Sequence, residues 1–347
     1  MLAGVLHGSR DIRLETVPEP EPSPGHVVLR VRRAGVCGSD VHYFSHGRCG
    51  AFVPTRPFIL GHEFVAVVEH RGAGVEQLSA GDRVVINPAA SCGQCEACKS
   101  GRANLCSNTR MLGSASTTPP TDGAFAEYVA VAAHQCHPLP QTLQDEAVAM
   151  VEPLSVVLHA LRRDGGIAGA RVLVAGAGPI GVMTVLAARA LGASLIAVSE
   201  PADRRRWRAL KLGADHTLDP RDDTFLEQAR SISDGGFDVA LEASGAPPAV
   251  RQCIASVRRG GSVVQIGTVS TNNVSLPVND IMVREIAFLG TFRYADEFPK
   301  AIRLLAAGRI DLGDLVTATY PLSELPQAMA TACDGEQSLK VQLVVGN

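Results

Sequence analysis

Apolar residues along the first 150 positions fall in short runs, as in Val27-Val28-Leu29-Arg30-Val31, Phe64-Val65-Ala66-Val67-Val68-Glu69 and Arg83-Val84-Val85-Ile86. Turn-forming stretches separate them, among them Pro18-Glu19-Pro20-Glu21-Pro22 and Gly72-Ala73-Gly74. Strands at this density, with no helical period between them, predict a β-rich barrel-like or sandwich-like unit. The period changes after Glu152-Pro153. Arg171-Val172-Leu173-Val174-Ala175 reads as a buried strand and Ile180 to Leu191 as a helix. Leu195-Ile196-Ala197-Val198-Ser199 reads as a second strand and Asp203 to Leu212 as a second helix. Phe237 to Glu242 and Gly261 to Gly267 are further strands. This alternation predicts a parallel sheet covered by helices. The chain is therefore expected to divide at 1–150, 151–286 and 287–347, the last part returning to the first domain and ending in a strand at Lys340 to Val345.

A length of 347 residues agrees with two domains. Net charge −3 gives no support to a nucleic-acid or membrane-surface role, and Arg204-Arg205-Arg206 reads as a solvated helix face. No run reaches the roughly 18 apolar residues that span a bilayer. The opening Met1-Leu2-Ala3-Gly4-Val5-Leu6 lacks the basic start and long core of a signal peptide, so a cytoplasmic location is expected. In a reducing compartment the nine cysteines are then metal ligands or buried apolar residues rather than disulfides.

Gly176-Ala177-Gly178-Pro179-Ile180-Gly181 is G-x-G-x-x-G between a strand and a helix, and Glu200 ends the next strand. Glycines there permit a tight turn and close approach of a pyrophosphate to free helix N–H groups, and the acidic residue suits ribose hydroxyls. The bland alternative is a structural strand–helix turn. Glu200 favours NAD by repelling a 2′-phosphate; Arg204 and Arg205 just beyond it leave NADP open.

Cys92, Cys95, Cys98 and Cys106 have the spacing C-x2-C-x2-C-x7-C, which suits a closed tetrahedral structural zinc in a lobe at about 88–110. An iron–sulfur cluster is the competing chemistry. A second set is dispersed: Cys37 in Gly35-Val36-Cys37-Gly38-Ser39-Asp40, His62 and Glu63 in Gly61-His62-Glu63, and Glu152 at the domain junction. A Cys/His/Glu set with one position left for water or substrate is the pattern of a catalytic zinc.

Taken together these motifs resemble the medium-chain zinc alcohol dehydrogenase family over essentially the whole length. The resemblance implies a GroES-like β-rich catalytic domain and a Rossmann doubly wound parallel-sheet dinucleotide-binding domain, with the active-site zinc between them. Ala66 departs from it, since the family usually has glycine there; a modest backbone adjustment is expected rather than loss of the metal. Tyr43, Gly47-Arg48-Cys49-Gly50, Glu152-Pro153-Leu154 and Phe292-Arg293-Tyr294 are similar to the sorbitol and xylitol dehydrogenase branch. Ile86-Asn87-Pro88, Gly113-Ser114-Ala115, Glu297-Phe298 and Lys340-Val341-Gln342-Leu343-Val344 narrow the resemblance to the L-idonate 5-dehydrogenases.

The resemblance implies two zinc ions per chain. The catalytic one is held by Cys37, His62 and either Glu63 or Glu152, and acts as a Lewis acid on a secondary hydroxyl whose hydride goes to NAD(P)+. Ser39 and His42 match the family's proton relay through the nicotinamide ribose, the bland reading of His42 being an ordinary surface histidine. The cofactor contacts implied are Gly176, Gly178, Pro179, Ile180, Gly181, Glu200, Arg205, Ile266, Gly267 and Phe292, and the substrate contacts Tyr43 and Arg293. A sugar acid such as L-idonate asks for a cation, and Arg48, Arg56, Arg110 and Arg293 are the candidates; sorbitol or xylitol is the alternative substrate. A non-catalytic NAD(P)H-binding protein is the alternative of another class. A homodimer or homotetramer is expected, with Glu285 to Gly290 either extending a sheet across the interface or forming an internal Rossmann strand.

Overall fold

The computed structural model describes residues 1–269 and 273–346. The chain forms two compact units, one of residues 1–153 with 295–347 and one of residues 154–294.

The first unit is built on a seven-stranded sheet. Its path runs Cys136–Pro138, Arg83–Ile86, Glu63–Arg71, His26–Gly35, Lys340–Val344 and Val316–Pro321, and Tyr128–Ala132 also pairs with His26–Gly35. Phe64, Val65 and Ala66 in one strand and Val27, Leu29 and Val31 in its neighbour are fully buried, so β-branched and aromatic side chains fill the interior of a curved sheet. Ala66 pairs with Val31 on one side and Val84 on the other, and the register with the first of these shifts directly beside it, between Val31 and Arg33. A three-stranded sheet orders as Asp11–Thr16, Leu2–Gly8 and Phe58–Ile59.

In the second unit six parallel strands lie in the spatial order His216–Leu218, Leu195–Ser199, Arg171–Ala175, Phe237–Glu242, Val257–Gln265 and Ala287–Gly290. This is the doubly wound dinucleotide-binding order, reversing beside the first strand. Val172, Leu173, Val174 and Ala175 are buried because helices cover both faces, which explains the continuous apolar run. Residues 287–294, expected to return with the first domain, belong to this unit: Ala287–Gly290 pairs in parallel with Ser262–Gln265 as the outermost strand. No helix among the described residues is long and apolar enough to cross a membrane.

Candidate active site

In the first unit Gly35 is registered against both Glu63 and Gln342, and two residues later Cys37 caps the helix Gly38–His46. The Asp40 carboxylate accepts the Cys37 N–H at 2.9 Å, one half of a capping box. The same Asp40, fully buried, accepts the Gly61 N–H at 3.4 Å and lies 3.7 Å from His62 Nδ1. Gly61 has φ 94°, and a Cβ there would meet the Phe125 ring at 2.4 Å. Only glycine makes this turn, and it delivers His62 and Glu63 to the mouth of the next strand.

Ligand atoms of Cys37, His62 and Glu63 lie within 4.8 Å of one another. Burial pulls the His62 imidazole down, but Asp40, then Cys37 and Glu152, outweigh it and hold the ring well above its usual range. His62 Nδ1 is buried and finds no hydrogen-bond partner among the described residues. An orphaned ring nitrogen beside a thiol and a carboxylate fits a zinc ion, which takes up the negative surplus. Glu152, second residue of the buried helix Val151–Leu161, acts on His62 electrostatically but stands outside the three-residue group.

The sequence reading missed Lys340. Its side chain is 2% exposed, donates to Val36 O at 2.9 Å and touches the Glu63 carboxylate. Burial alone lowers a lysine, but Glu63, Cys37 and Asp40 raise this one, so it stays an ammonium. Gly35 makes room for the pair: a Cβ there would lie 2.4 Å from Glu63 Oε2 and 3.1 Å from Lys340 Cε.

Cys92, Cys95, Cys98 and Cys106 form the second group, again with sulfurs within 4.8 Å, beside the hairpin of Ala89–Ala90 and Arg110–Met111. The Cys95 and Cys98 sulfurs are 3.5 Å apart, as are those of Cys106 and Cys92. Backbone N–H groups of Cys92 and Asn108 pull the Cys106 thiol down to about 6. Four sulfurs converging in this way, one of them poised as a thiolate, fit a closed zinc site.

In the second unit Gly176 has φ 100°, and a Cβ on Gly181 would lie 1.9 Å from Gly176 O, so strand and helix meet only through glycine. Gly178 caps the helix Pro179–Ala190, with Pro179 at its first position. A Cβ on Gly178 would meet nothing within 4 Å, leaving the backbone open as a pyrophosphate requires. Glu200 is buried, accepts the Ala177 N–H at 2.9 Å and the Ala202 N–H at 3.1 Å, and has Arg205 3.8 Å away. Ile266 and Gly267 both donate to Glu242 O, and a Cβ on Gly267 would meet Gly245 N at 2.4 Å. Phe292 is exposed, with the Arg293 guanidinium 4.8 Å from its ring centre, and Arg293 adopts φ 52°.

Tyr43, expected to reach the substrate or its water network, is 2% exposed; its hydroxyl accepts the Ala115 N–H at 3.0 Å and its ring stands edge-on to Phe58. It braces the 113–116 loop. Arg56 is spent on Asp122 through two bonds, at 3.2 and 2.9 Å. Arg110 lines, with Arg56, a cavity of about 570 Å³ to which none of Cys37, His62, Glu63 and Glu152 contributes. Arg48 donates to Gly50 O. Ser39 is partly exposed and His42 exposed on the helix that Cys37 caps.

Two family models match the chain: the alcohol dehydrogenase GroES-like domain over residues 23–141 and the zinc-binding dehydrogenase over residues 179–307. The chain belongs to the zinc-dependent medium-chain alcohol dehydrogenase family, polyol branch. It is accordingly an oxidoreductase acting on CH–OH groups. It is 41% identical to a sorbitol dehydrogenase of Bacillus subtilis (strain 168), over 96% of this chain and 93% of that one. It resembles in structure the L-idonate 5-dehydrogenase of Escherichia coli (TM-score 0.91, 34% identity, covering 99% and 97% of the two chains). It also resembles a protein of Sinorhizobium meliloti 1021, described as a zinc-binding dehydrogenase and bound to NADP (TM-score 0.89, 33% identity, 99% and 98%).

Proposed function

We propose that this dehydrogenase oxidises a secondary hydroxyl of an uncharged polyol of the sorbitol or xylitol type, with NAD preferred and NADP accepted. The observation that carries the chemistry is the thiol–imidazole–carboxylate group of half-buried Cys37 with buried His62 and Glu63, and Glu152 nearby. When bound there, zinc supplies Lewis acidity to a hydroxyl, and the nicotinamide supplies the hydride acceptor. Glu152 offers a carboxylate beside the metal group, and Ser39 and His42 offer a path for the hydroxyl proton to the surface. Glu200 supports NAD by setting a buried carboxylate at the end of the second strand, and Arg205 beside it supports tolerance of a 2′-phosphate. The four cysteines of the lobe hold a second, structural zinc.

The choice of an uncharged substrate rests on the arginines: Arg56 is paired with Asp122 and Arg110 lines a different cavity. L-idonate is the second reading, favoured by the likeness to the Escherichia coli enzyme. Initial rates of NADH formation with sorbitol, xylitol, L-idonate, D-gluconate and L-threonine, repeated with NADP, test the choice. Sorbitol or xylitol is expected to be fastest. A strong preference for L-idonate would reverse the assignment and send the carboxylate contact to Arg48 or Arg293.

A proton-accepting His42 predicts a pH effect of definite sign. Surrounding protein, and then His46, hold its ring below the usual histidine range, so it is neutral and able to accept a proton at neutral pH. His42→Ala is expected to slow alcohol oxidation about 10–100-fold on the acid side of the pH–rate profile, where little hydroxide replaces it, and to converge on the wild-type rate towards alkaline pH. A parallel displacement at every pH removes His42 from the relay.

The outermost strand Ala287–Gly290 exposes Phe288, and Val278, Met282 and Val283 are exposed in the helix just before it. A homo-oligomer formed along this edge would cover them. Light scattering is expected to give at least twice the mass of one chain, and Phe288→Lys to reduce it to the monomer.

A further inference from the structure

We propose that His42 and His46 form a chelating site for a first-row divalent ion of the Ni2+ or Zn2+ type, and that filling it slows alcohol oxidation by capturing the proton-accepting ring. The two residues are four apart on the helix Gly38–His46, so their side chains stack along one face. Their ring centroids are 5.6 Å apart and their planes inclined by 37°. A metal–nitrogen bond of about 2.0–2.1 Å puts an ion about 3.2 Å from the centroid of its imidazole. Two rings 5.6 Å apart then subtend about 120° at a shared ion, close to the trigonal angle and somewhat wider than the tetrahedral one.

Both residues are exposed, and among the described residues neither ring takes a hydrogen bond, so coordination displaces no partner. Water can complete the shell from the open side. His42 is held below its usual range and therefore presents a free lone pair without first losing a proton. Imidazole ligands suit zinc, nickel and copper. Neither histidine belongs to the Cys37 or the Cys92 group, so the pair is a third site, weaker for having two protein ligands. The inhibitory consequence rests on the relay reading of His42; the binding does not.

The test uses zinc-replete wild type and His46→Gln, each titrated with Ni2+ by calorimetry, assayed for polyol oxidation, and measured afterwards for bound zinc. Wild type is expected to take up one further ion per chain and to lose turnover in step with occupancy while keeping its zinc. His46→Gln, its inhibition measured relative to its own metal-free turnover, is expected to bind at least about tenfold more weakly and to resist inhibition correspondingly. Equal binding by the two proteins would overturn the site, as would inhibition that tracks zinc loss. Binding that depends on His46 but leaves turnover untouched would refute the inhibition and place the error in the relay reading rather than in the chelate.

Discussion

Replacing Cys37 by alanine is expected to reduce the zinc content from two ions per chain to one and to abolish alcohol oxidation with it. Both effects follow from where the sulfur sits. Cys37 is one of three groups whose ligand atoms lie within 4.8 Å, and a catalytic zinc with an open position needs about three protein ligands. Removing one leaves His62 and Glu63, and Glu63 is already in contact with Lys340. Lewis-acid activation contributes several kcal/mol to such a reaction, so its loss slows turnover by about a thousandfold or more. The fold is not expected to suffer. The helix start is fixed by the Cys37 N–H donated to Asp40 and the Val41 N–H donated to Cys37 O, and alanine keeps both backbone groups. The variant should therefore melt close to wild type once both are metal-free. Metal analysis on the purified protein, with NADH formation on the same sample, decides the matter. Turnover surviving with one zinc gone would remove Cys37 from the catalytic set. A wild type that binds only the lobe ion would instead favour a cofactor-binding protein without catalysis.

Features that depend on neighbours in sequence were legible, and those that depend on distant ones were not. Gly61-His62-Glu63 is readable because a positive-φ glycine stands directly before the two residues that meet Cys37, and the spacing of Cys92 to Cys106 constrains its own lobe. The glycine loop follows the same logic, since Gly176 and Gly181 touch each other across one turn. Lys340 could not be found that way: its bond to Val36 O spans 304 residues, and nothing local distinguishes it from a lysine opening a surface strand. Arg56 was offered as a substrate cation because its partner Asp122 lies 66 residues away. Tyr43 shows the same division. Its place on the Cys37 helix was readable, whereas the turn of its ring into the core depends on Phe58 and the 114–115 loop. The boundary near 287 moved because Ala287–Gly290 is an apolar run whose pairing with Ser262–Gln265 is a matter of tertiary choice.

Lys340→Met should show how far that buried ammonium governs the metal. In the metal-free protein the Glu63 carboxylate, 1% exposed, has Lys340 as its countercharge, and Gly35 is the only size of residue that lets the two meet. Methionine keeps the stem and removes the charge, stranding a buried anion at a cost of about 3–5 kcal/mol. For a unit of this size that amounts to a Tm lower by roughly 10 °C in chelator-treated protein. With zinc present the stranded carboxylate has another cation within reach. The zinc-loaded variant should then lose much less stability than the stripped one, and should release its catalytic zinc to a chelator more slowly than wild type. Turnover should fall even so, because a Glu63 carboxylate held more tightly by the metal would weaken its Lewis acidity towards the substrate hydroxyl. Equal Tm losses with and without zinc, together with unchanged release, would make Lys340 a packing residue only. Faster release would mean that the ammonium holds Glu63 in a ligating pose, the opposite of competing for it. Slower release with lower turnover would make the lysine a positioning residue, reaching the metal through Glu63 from a strand that the sequence places at the far end of the chain.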